Sequence, residues 1–354
     1  MEEDQNQHYV TRAFLAKFIH PTSKQAVLYP YAVNEKKQKA KGPAKLACEK
    51  NFYKQEINGE WCNCLEKDRE KLETMLFDGN KGTHYECLHN EKFVPSAEDR
   101  IILCVMAAYL HAGSPLQIHN TSMMGLYSNQ IYLMNRINSD DAEEIYKQEC
   151  GNDWEMRLKE DRKQVLTGEL VADVGESLRK QFGFESFKYQ ELWIQMMSQM
   201  SLSIVTTNEF FITSDNPVII FSRHRSKGQQ FREVELQNFD AEIWIPISYN
   251  KGLLWRQGKN GFSRFSYGHS ETRAINRKVI SMAYKSIYAP LEADWLNEAT
   301  QNVPRDHIYK HYGSLERAFA TARPGIDVST GRKIDVLDIV RVMESGDEMD
   351  VLGI

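Results

Sequence analysis

Residues 209–256 hold most of the strand-forming sequence of this chain, and long helical patterns occupy most of the remainder. Runs of β-branched and aromatic residues, separated by turn signals, predict strands at 209–222, 231–236, 241–248 and 252–255. Because these strands are clustered and do not alternate one by one with helices, the pattern disfavours a βαβ array. It predicts an α+β fold in which an antiparallel or mixed sheet, joined by N-terminal strands, packs with long helices.

Helical periodicity covers much of the remaining chain, with apolar residues recurring on one face of each segment. The predicted helices span 10–18, 65–77, 96–134 with a break at 113–115, 139–205 and 271–288. We therefore predict a main α+β domain over 1–290, interrupted by a helical insertion at about 139–205. A helical C-terminal extension is predicted over 291–354.

The composition narrows the classes of function. A net charge of −5 gives no global electrostatic reason to bind nucleic acid, so such binding would need a local basic patch. The N-terminus is acidic and polar and lacks the apolar core of a secretion signal. No apolar run reaches the roughly 18 residues of a membrane helix. We expect a cytoplasmic protein with no membrane partner, whose six cysteines are reduced thiols.

Residues 7–12, Gln-His-Tyr-Val-Thr-Arg, form a first polar segment that we call the N-terminal motif. The helix that follows has an aromatic face that must be buried, so we expect the motif to dock onto the strands at 209–255. His8 is a candidate catalytic acid or base, and Tyr9 and Arg12 are candidate substrate-binding residues, with Arg12 stabilising an anion. The alternative is that His8 is a helix cap or a surface group.

Residues 211–218, Phe-Ile-Thr-Ser-Asp-Asn-Pro-Val, form the central motif. Asp215 is a candidate general base or ligand of a divalent metal ion, and Asn216 is a second candidate catalytic residue. Thr213 and Ser214 are candidate substrate-binding residues. The alternative is that Asp215 only pins the turn through hydrogen bonds to the backbone, in which case Asp215→Asn would cost little stability.

Charged residues outside the two motifs supply further candidates. Arg223 opens a basic loop at 223–227, which either binds a phosphodiester or is solvated. Glu66 and Glu73 are seven residues apart on one predicted helix and share a face, as do paired carboxylates that bind metal ions in some helical enzymes. The alternative is a solvated helix face, because most of their neighbours are charged.

A weaker metal signal comes from cysteine and histidine residues. Zinc in proteins usually takes four such ligands. The candidates lie within one short stretch, although their C-x-C spacing is not the usual C-x₂-C arrangement: Cys62, Cys64, His84, Cys87 and His89. The alternative is that they are ordinary thiols and surface histidines.

In order and spacing, several segments of the chain resemble domain of unknown function family 4238. They are the N-terminal motif with Phe14, Leu15 and Phe18, residues 47–53, Leu65-Glu66, Leu72-Glu73, the central motif, residues 245–248, and residues 274–276 before a helix ending in Tyr288-Ala289-Pro290. The family is bacterial, and its members typically begin with His-Tyr-Val-Pro, where this chain has Thr11. Because the family has no settled activity, the resemblance marks positions to test and implies no reaction.

The first functional hypothesis is a hydrolase. The chain lacks P-loop, G-x-G-x-x-G, H-E-x-x-H and G-x-S-x-G motifs, which disfavours several large enzyme classes. The motifs favour a phosphodiester or nucleotide hydrolase, in particular a nuclease acting in bacterial defence or as a toxin. Nucleic acid or a nucleotide would be its substrate, and a divalent metal ion is the candidate cofactor. His8 and Asp215 would then lie within about 15 Å of each other.

The second hypothesis is a non-catalytic recognition protein. The two motifs then serve as structural staples, and the helical region presents a surface to a protein partner. Its aromatic residues, 16 Tyr, 16 Phe and 6 Trp, can supply anchors for such an interface. Metal-dependent cleavage of RNA or DNA that is lost in Asp215→Ala would separate the first hypothesis from the second.

Overall fold

The structure is a computed structural model that describes residues 6–305, apart from 36–37, 58–59, 78–80, 124, 126–136, 138, 168–186, 188–189, 223–239 and 259–260. The chain divides into two compact units. The larger unit comprises residues 1–121 and 180–309, and the second unit comprises residues 122–179 and 310–354. The predicted strand at 231–236 and most of the predicted extension at 291–354 lie outside the described residues.

Strands and helices are segregated along the chain, as an α+β fold requires. The strands are β1 Asn6–His8, β2 Tyr29–Ala32, β3 Cys48–Lys50, β4 Gln55–Ile57, β5 Glu60–Cys62, β6 Ser201–Thr207, β7 Thr213–Ser214, β8 Ile219–Ser222, β9 Ala241–Pro246, β10 Lys251–Arg256, β11 Phe262–Tyr267 and β12 Ser286–Ala289. The helices are α1 Arg12–Ala16, α2 Cys64–Phe77, α3 Thr83–His89, α4 Ala97–Ala112, α5 Pro115–Met123, α6 Asp140–Cys150, α7 Trp154–Thr167, α8 Gln190–Ser198, α9 His269–Met282 and α10 Asp294–Ala299.

The principal sheet of the larger unit is mixed. Within the described residues it contains five strands in the order β11-β6-β10-β9-β8. The neighbours β6 and β10, β10 and β9, and β9 and β8 are antiparallel, whereas β11 runs parallel to β6. The predicted α+β class with an antiparallel or mixed sheet is therefore confirmed.

Two parts of the helical prediction are wrong. Residues 286–288, predicted as the end of the helix at 271–288, lie in strand β12, because α9 already ends at Met282. Residues 201–205, predicted as the end of a long helical stretch, begin strand β6. Leu202 and Ile204 are fully buried, and their neighbours Ser203 and Val205 are also buried. Because both faces of this strand are covered, it lacks the alternation of apolar and polar residues that identifies a half-exposed strand.

The sheet separates two hydrophobic clusters. Ile243 lies in a cluster that includes Phe14 of α1 and Leu103 of α4. Its neighbour Trp244 lies in the other cluster, with Val279 of α9. Successive side chains of a strand point to opposite faces, which explains the separation. Because Phe14 joins the sheet core, the predicted docking of the N-terminal segment onto the strands is confirmed.

The strands near the N-terminus pair away from the principal sheet. In the described part of the chain, β2, β12 and β7 form a three-stranded sheet with β12 in the middle, and both pairings are antiparallel. β1 pairs with β3, which places His8 opposite Cys48. The sheet that contains β7 positions the central motif directly beside β12.

The described part of the second unit contains the helices α6 and α7. The Tyr146 hydroxyl on α6 donates to Asp161 Oδ2 on α7 at 2.6 Å, and Arg157 lies 3.4 Å from the other carboxylate oxygen. The predicted helical insertion at 139–205 coincides with this unit only up to residue 179. Beyond that residue, α8 and the beginning of β6 belong to the larger unit.

Membrane-spanning capacity is limited in the part of the chain that the structure describes. There, no single helix has the length and apolar composition needed to cross a bilayer. The pair α4 and α5, bent by 62°, passes that test by length and composition alone.

Candidate functional site

The N-terminal motif is fastened to the fold by its polar side chains. Gln7 is fully buried, and its amide oxygen accepts from the Tyr53 backbone N–H at 2.6 Å while its amide nitrogen donates to Asn63 Oδ1 at 3.1 Å. Thr11 is also buried and caps α1, because its hydroxyl accepts from the backbone N–H of Phe14 at 3.1 Å. These contacts make the motif an anchor for the start of the chain.

The predicted catalytic His8 lies near the backbone of Pro43 and Ala44, and its Nε2 is buried without a hydrogen-bond partner among the described residues. Burial lowers the pKa of His8, and the positive charge of Arg12 lowers it further, so the imidazole is neutral at pH 7. Arg12 itself is exposed. In the described part of the chain, no hydrogen bond or ion pair joins His8 to Asp215.

Tyr9 is the residue through which the two motifs meet. Its hydroxyl hydrogen-bonds with that of Tyr288 on β12, and the negative charge of Asp215 is close enough to raise its pKa, although burial is the larger cause of that rise. The pKa of Tyr288 is raised for the same reasons. Two protonated phenols therefore lie near the central motif.

Asp215 binds the connection between α9 and β12. Its side chain is 1% exposed. One carboxylate oxygen accepts from the backbone N–H of Tyr284 at 2.8 Å, and the other accepts from those of Lys285 at 2.6 Å and Ser286 at 2.9 Å. Burial raises the pKa of Asp215 to about 6, whereas the three N–H groups and the charge of Arg305 act to lower it. Both oxygens are thus engaged by backbone donors.

This geometry supports the alternative in which Asp215 pins the chain. A general base or a metal ligand needs a carboxylate oxygen that faces a substrate or an ion. Among the described residues, no group of three or more His, Cys, Asp or Glu side chains is placed to hold a metal ion. The predicted catalytic and metal-binding roles of Asp215 therefore gain no support from the structure.

The rest of the central motif is equally buried. Asn216 donates from its amide to the backbone oxygen of Met282 at 3.0 Å, and Ser214 donates to the backbone oxygen of Asn216 at 2.7 Å. The Thr213 hydroxyl and the Asn216 amide oxygen are buried and have no hydrogen-bond partner in the described part of the chain. The predicted substrate-binding Thr213 and Ser214 are both 0% exposed. Arg223 lies outside the described residues.

Sequence reasoning assigned no role to Asn276, which holds the chain just before the motif. Its amide oxygen accepts from the backbone N–H of Ile212 at 3.1 Å, and its amide nitrogen donates to the backbone oxygen of Phe210 at 2.8 Å. Asn276 lies within the segment 274–276 that carries part of the family resemblance. A buried asparagine on an otherwise apolar helix face was the available signal.

The helix that carries Glu66 and Glu73 has a buried charged face. Between these two glutamates, Arg69 is only 4% exposed, and its guanidinium lies 3.9 Å from Glu73 Oε1. The same Glu73 oxygen accepts from the Tyr109 hydroxyl at 2.5 Å. Burial raises the pKa of Glu66 to about 7. The solvated-face alternative does not hold for Arg69. It holds for the exposed residues Lys67, Asp68, Glu70 and Lys71. A guanidinium, not a third acidic ligand, lies beside Glu73.

The zinc hypothesis also gains no support. Cys62 is disulfide-bonded, so it is not a thiolate ligand, and the expectation of six reduced thiols is wrong at this position. Cys87 is a buried free thiol whose pKa is raised to about 12 by burial. His84 packs edge-on against Phe77 at 5.3 Å between ring centroids.

Two buried histidines each contribute a loss of stability in acid. Burial lowers the pKa of His84 to about 4 and that of His111 to about 3. Because unfolded histidines take up protons near pH 6.5, the stability from these neutral rings is present above pH 6.5 and is lost as the pH falls toward 4, by up to about 1.4 kcal/mol per pH unit for each ring. Asp215 and Glu66, whose pKa values burial raises to about 6 and about 7, act in the opposite sense, so chemical denaturation between pH 7.5 and 4.5 measures the loss as the difference between the wild type and a histidine variant.

A variant at His111 isolates one of the two contributions. His111 stacks on Trp193 with ring centroids 3.9 Å apart, so His111→Phe keeps an aromatic ring there but removes the titrating group. We expect this variant to lose less stability on acidification than the wild type. His269→Gln, at an exposed position, is the control and is expected to keep the full loss. An unchanged pH profile in His111→Phe would contradict the assignment.

Comparison with known proteins gives one match. A family model described as "Protein of unknown function (DUF4238)" matches residues 6–290. No curated protein and no solved structure matches the chain. The match includes both motifs, α2 and α9. Because the function of the family is unknown, the match assigns no activity to the chain.

Proposed function

We propose that this chain, which belongs to the DUF4238 family of proteins of unknown function, is a non-catalytic recognition protein whose two polar motifs are structural staples. One observation carries the proposal: both carboxylate oxygens of Asp215 accept backbone N–H groups, at 2.6–2.9 Å. Asp215, the charged residue of the central motif, therefore stabilises the connection between α9 and β12.

The other polar residues of the motifs support the same proposal. Gln7 binds through both amide atoms and Asn216 through its amide nitrogen, and Asn276, which lies outside the motifs, holds the segment before the central motif in the same way. A side chain whose hydrogen bonds are used within the fold is not free to bind a substrate. The partner surface is proposed on the second unit, where α6 and α7 expose Ile145 and Met156.

The phosphodiester hydrolase, as a nuclease in bacterial defence or toxin activity, is the second candidate. The observation that favours it is the proximity of the two motifs, because Asp215 acts electrostatically on Tyr9. The neutral imidazole of His8, one residue away, has the protonation state of a general base at pH 7. In this candidate, Tyr9 and His8 contact the substrate and Asp215 positions them.

A cleavage assay separates the two candidates. Purified wild-type protein is incubated with single- and double-stranded RNA and DNA, with and without Mg²⁺ or Mn²⁺. We expect no cleavage above that of a mock purification, and His8→Ala to behave as the wild type. Metal-dependent cleavage that is lost in His8→Ala, with an unchanged melting temperature, would overturn the recognition proposal in favour of the hydrolase.

A further inference from the structure

The guanidinium of Arg69 is buried and makes no hydrogen bond with the described residues. Its three nitrogens, Nε, Nη1 and Nη2, are sealed from solvent and have no hydrogen-bond partner in that part of the chain. A guanidinium carries five N–H donors, and leaving such a charged group unsatisfied in the interior costs several kcal/mol. Arginines with this degree of burial are normally paired in a forked arrangement with an oxyanion.

The neighbouring carboxylates do not supply that partner. Glu73 Oε1 is 3.9 Å from Nη2, which is an ion pair but is too long for a hydrogen bond. The same oxygen is instead held by the Tyr109 hydroxyl at 2.5 Å. Glu73 therefore balances part of the charge of Arg69, while the N–H groups of the guanidinium donate no hydrogen bond to the described residues.

The surroundings hold the guanidinium in one place. Its central carbon lies 4.3 Å from the ring centroids of both Tyr53 and Tyr109, so the group is held between two aromatic rings. The Tyr53 hydroxyl donates to the backbone oxygen of Gly113 at 2.9 Å, which fixes one ring. A Cβ at Gly113 would lie 2.2 Å from Nη1, so only glycine permits this close approach of the backbone.

We propose that Arg69, positioned by Tyr53, Tyr109 and Gly113, is the anion-binding residue of a ligand subsite that takes the oxyanion of a phosphate or carboxylate group. The subsite, which lies in the larger unit, adds an anionic ligand to the recognition function proposed above and rests on that function. An oxyanion in the plane of the guanidinium satisfies two N–H donors at once, which no side chain of the described residues does.

The subsite is closed in this structure, and Glu73 is its movable cover. The Glu73 side chain is 25% exposed, whereas that of Arg69 is 3% exposed. Rotation of Glu73 toward solvent would uncover Nη2 and break the hydrogen bond from the Tyr109 hydroxyl. The ligand then takes the place of the glutamate as counter-charge.

The protonation state of Glu66 changes the net charge of the subsite. Its pKa is raised to about 7 by burial, while the charge of Arg69 lowers it and those of Glu73 and Glu70 raise it. The charge of Glu66 also acts on Tyr53, whose pKa is raised chiefly by burial and further by Glu66. Protonation of Glu66 below pH 7 removes a negative charge that competes with the ligand, so we expect acetate, whose own charge is constant over this range, to bind more tightly at pH 6 than at pH 8.

The test is titration calorimetry of the full chain with inorganic phosphate and, separately, with acetate. We expect saturable binding of at least one probe, and the preferred probe identifies the source of the oxyanion.

Arg69→Met is expected to weaken binding by about tenfold or more. Arg12→Met, which removes the exposed arginine of the N-terminal motif, is the matched control and is expected to leave affinity unchanged. At pH 8, Glu66→Gln is expected to bind acetate about threefold more tightly, or more, than the wild type does. The acetate affinity of this variant is expected not to change between pH 6 and pH 8.

Three results would overturn the subsite. They are the absence of saturable binding for both probes, unchanged affinity in Arg69→Met, and loss of binding in Arg12→Met alone. If Arg69→Met does not fold, Glu66→Gln decides, and an affinity at pH 8 equal to that of the wild type rejects the proposal. Failure of anion binding leaves the cleavage assay unaffected, so the subsite and the recognition function fail separately.

Discussion

Asp215→Ala is expected to lower the free energy of unfolding by about 2–5 kcal/mol, because it leaves three backbone N–H groups without their acceptor. These donors belong to Tyr284, Lys285 and Ser286, at the junction of α9 and β12. At pH 7.5, above the raised pKa of about 6, the carboxyl group is ionised and accepts all three bonds. Urea denaturation of wild type and variant at this pH measures the loss.

Asp215→Asn is expected to be destabilising as well, by about 1–3 kcal/mol, which reverses the expectation from sequence. Because both oxygens of Asp215 accept N–H groups, an amide would place its own NH₂ group against one of those donors. The control is Asp68→Asn, whose side chain is 75% exposed, with an expected change within about 0.5 kcal/mol. A fully stable Asp215→Asn protein that has lost a cleavage activity would restore the catalytic role.

The fold class followed from local composition, because the strands β9 and β10 are runs of apolar, β-branched and aromatic residues bounded by turn signals. The sequence pattern did not predict strand β6, because both faces of this strand are buried and its residues do not alternate between apolar and polar. β11, Phe262–Tyr267, was missed because its sequence mixes Ser and Arg with aromatics and its burial is only partial. Such strands are defined by their neighbours in the sheet, which local sequence does not specify.

The sequence singled out the two motifs, but the role of each side chain depends on contacts that are distant in sequence. Asp215 binds backbone groups 69–71 residues away. Gln7 binds the backbone of Tyr53, 46 residues away. Sequence patterns indicate that a polar residue is placed among apolar ones, but they do not say whether its partner is a substrate or the backbone.

The position of Arg69 in the sequence of α2 indicated that this residue is buried. The apolar stripe of α2 contains Leu65, Leu72 and Leu76, and Arg69 occupies the same face, four residues after the first and three before the second. It was grouped with the surrounding charged residues as solvated surface. A charged residue in register with a buried stripe is a better indicator of a site than a paired set of exposed carboxylates, because burial of a charge demands a partner.

Asn276→Ala is expected to lower the free energy of unfolding by about 2–4 kcal/mol, because two buried backbone groups lose their partners together. The amide of Asn276 bridges the N–H of Ile212 and the carbonyl of Phe210, which fastens α9 to the segment that leads into β7. A methyl group can replace neither bond. Thermal and urea denaturation are expected to agree on the loss.

A matched pair of variants separates the hydrogen bonds of Asn276 from its packing. Asn276→Asp keeps the acceptor for Ile212 N–H but loses the donor to Phe210 and introduces a buried negative charge, so it is expected to be at least as destabilising as Asn276→Ala at pH 7.5. Arg277→Ala, at the exposed neighbouring position on α9, is expected to change stability by less than about 0.5 kcal/mol. Equal, small effects at positions 276 and 277 would show that the central motif is held without this bridge. The staple role of the motif would then rest on Asp215 alone.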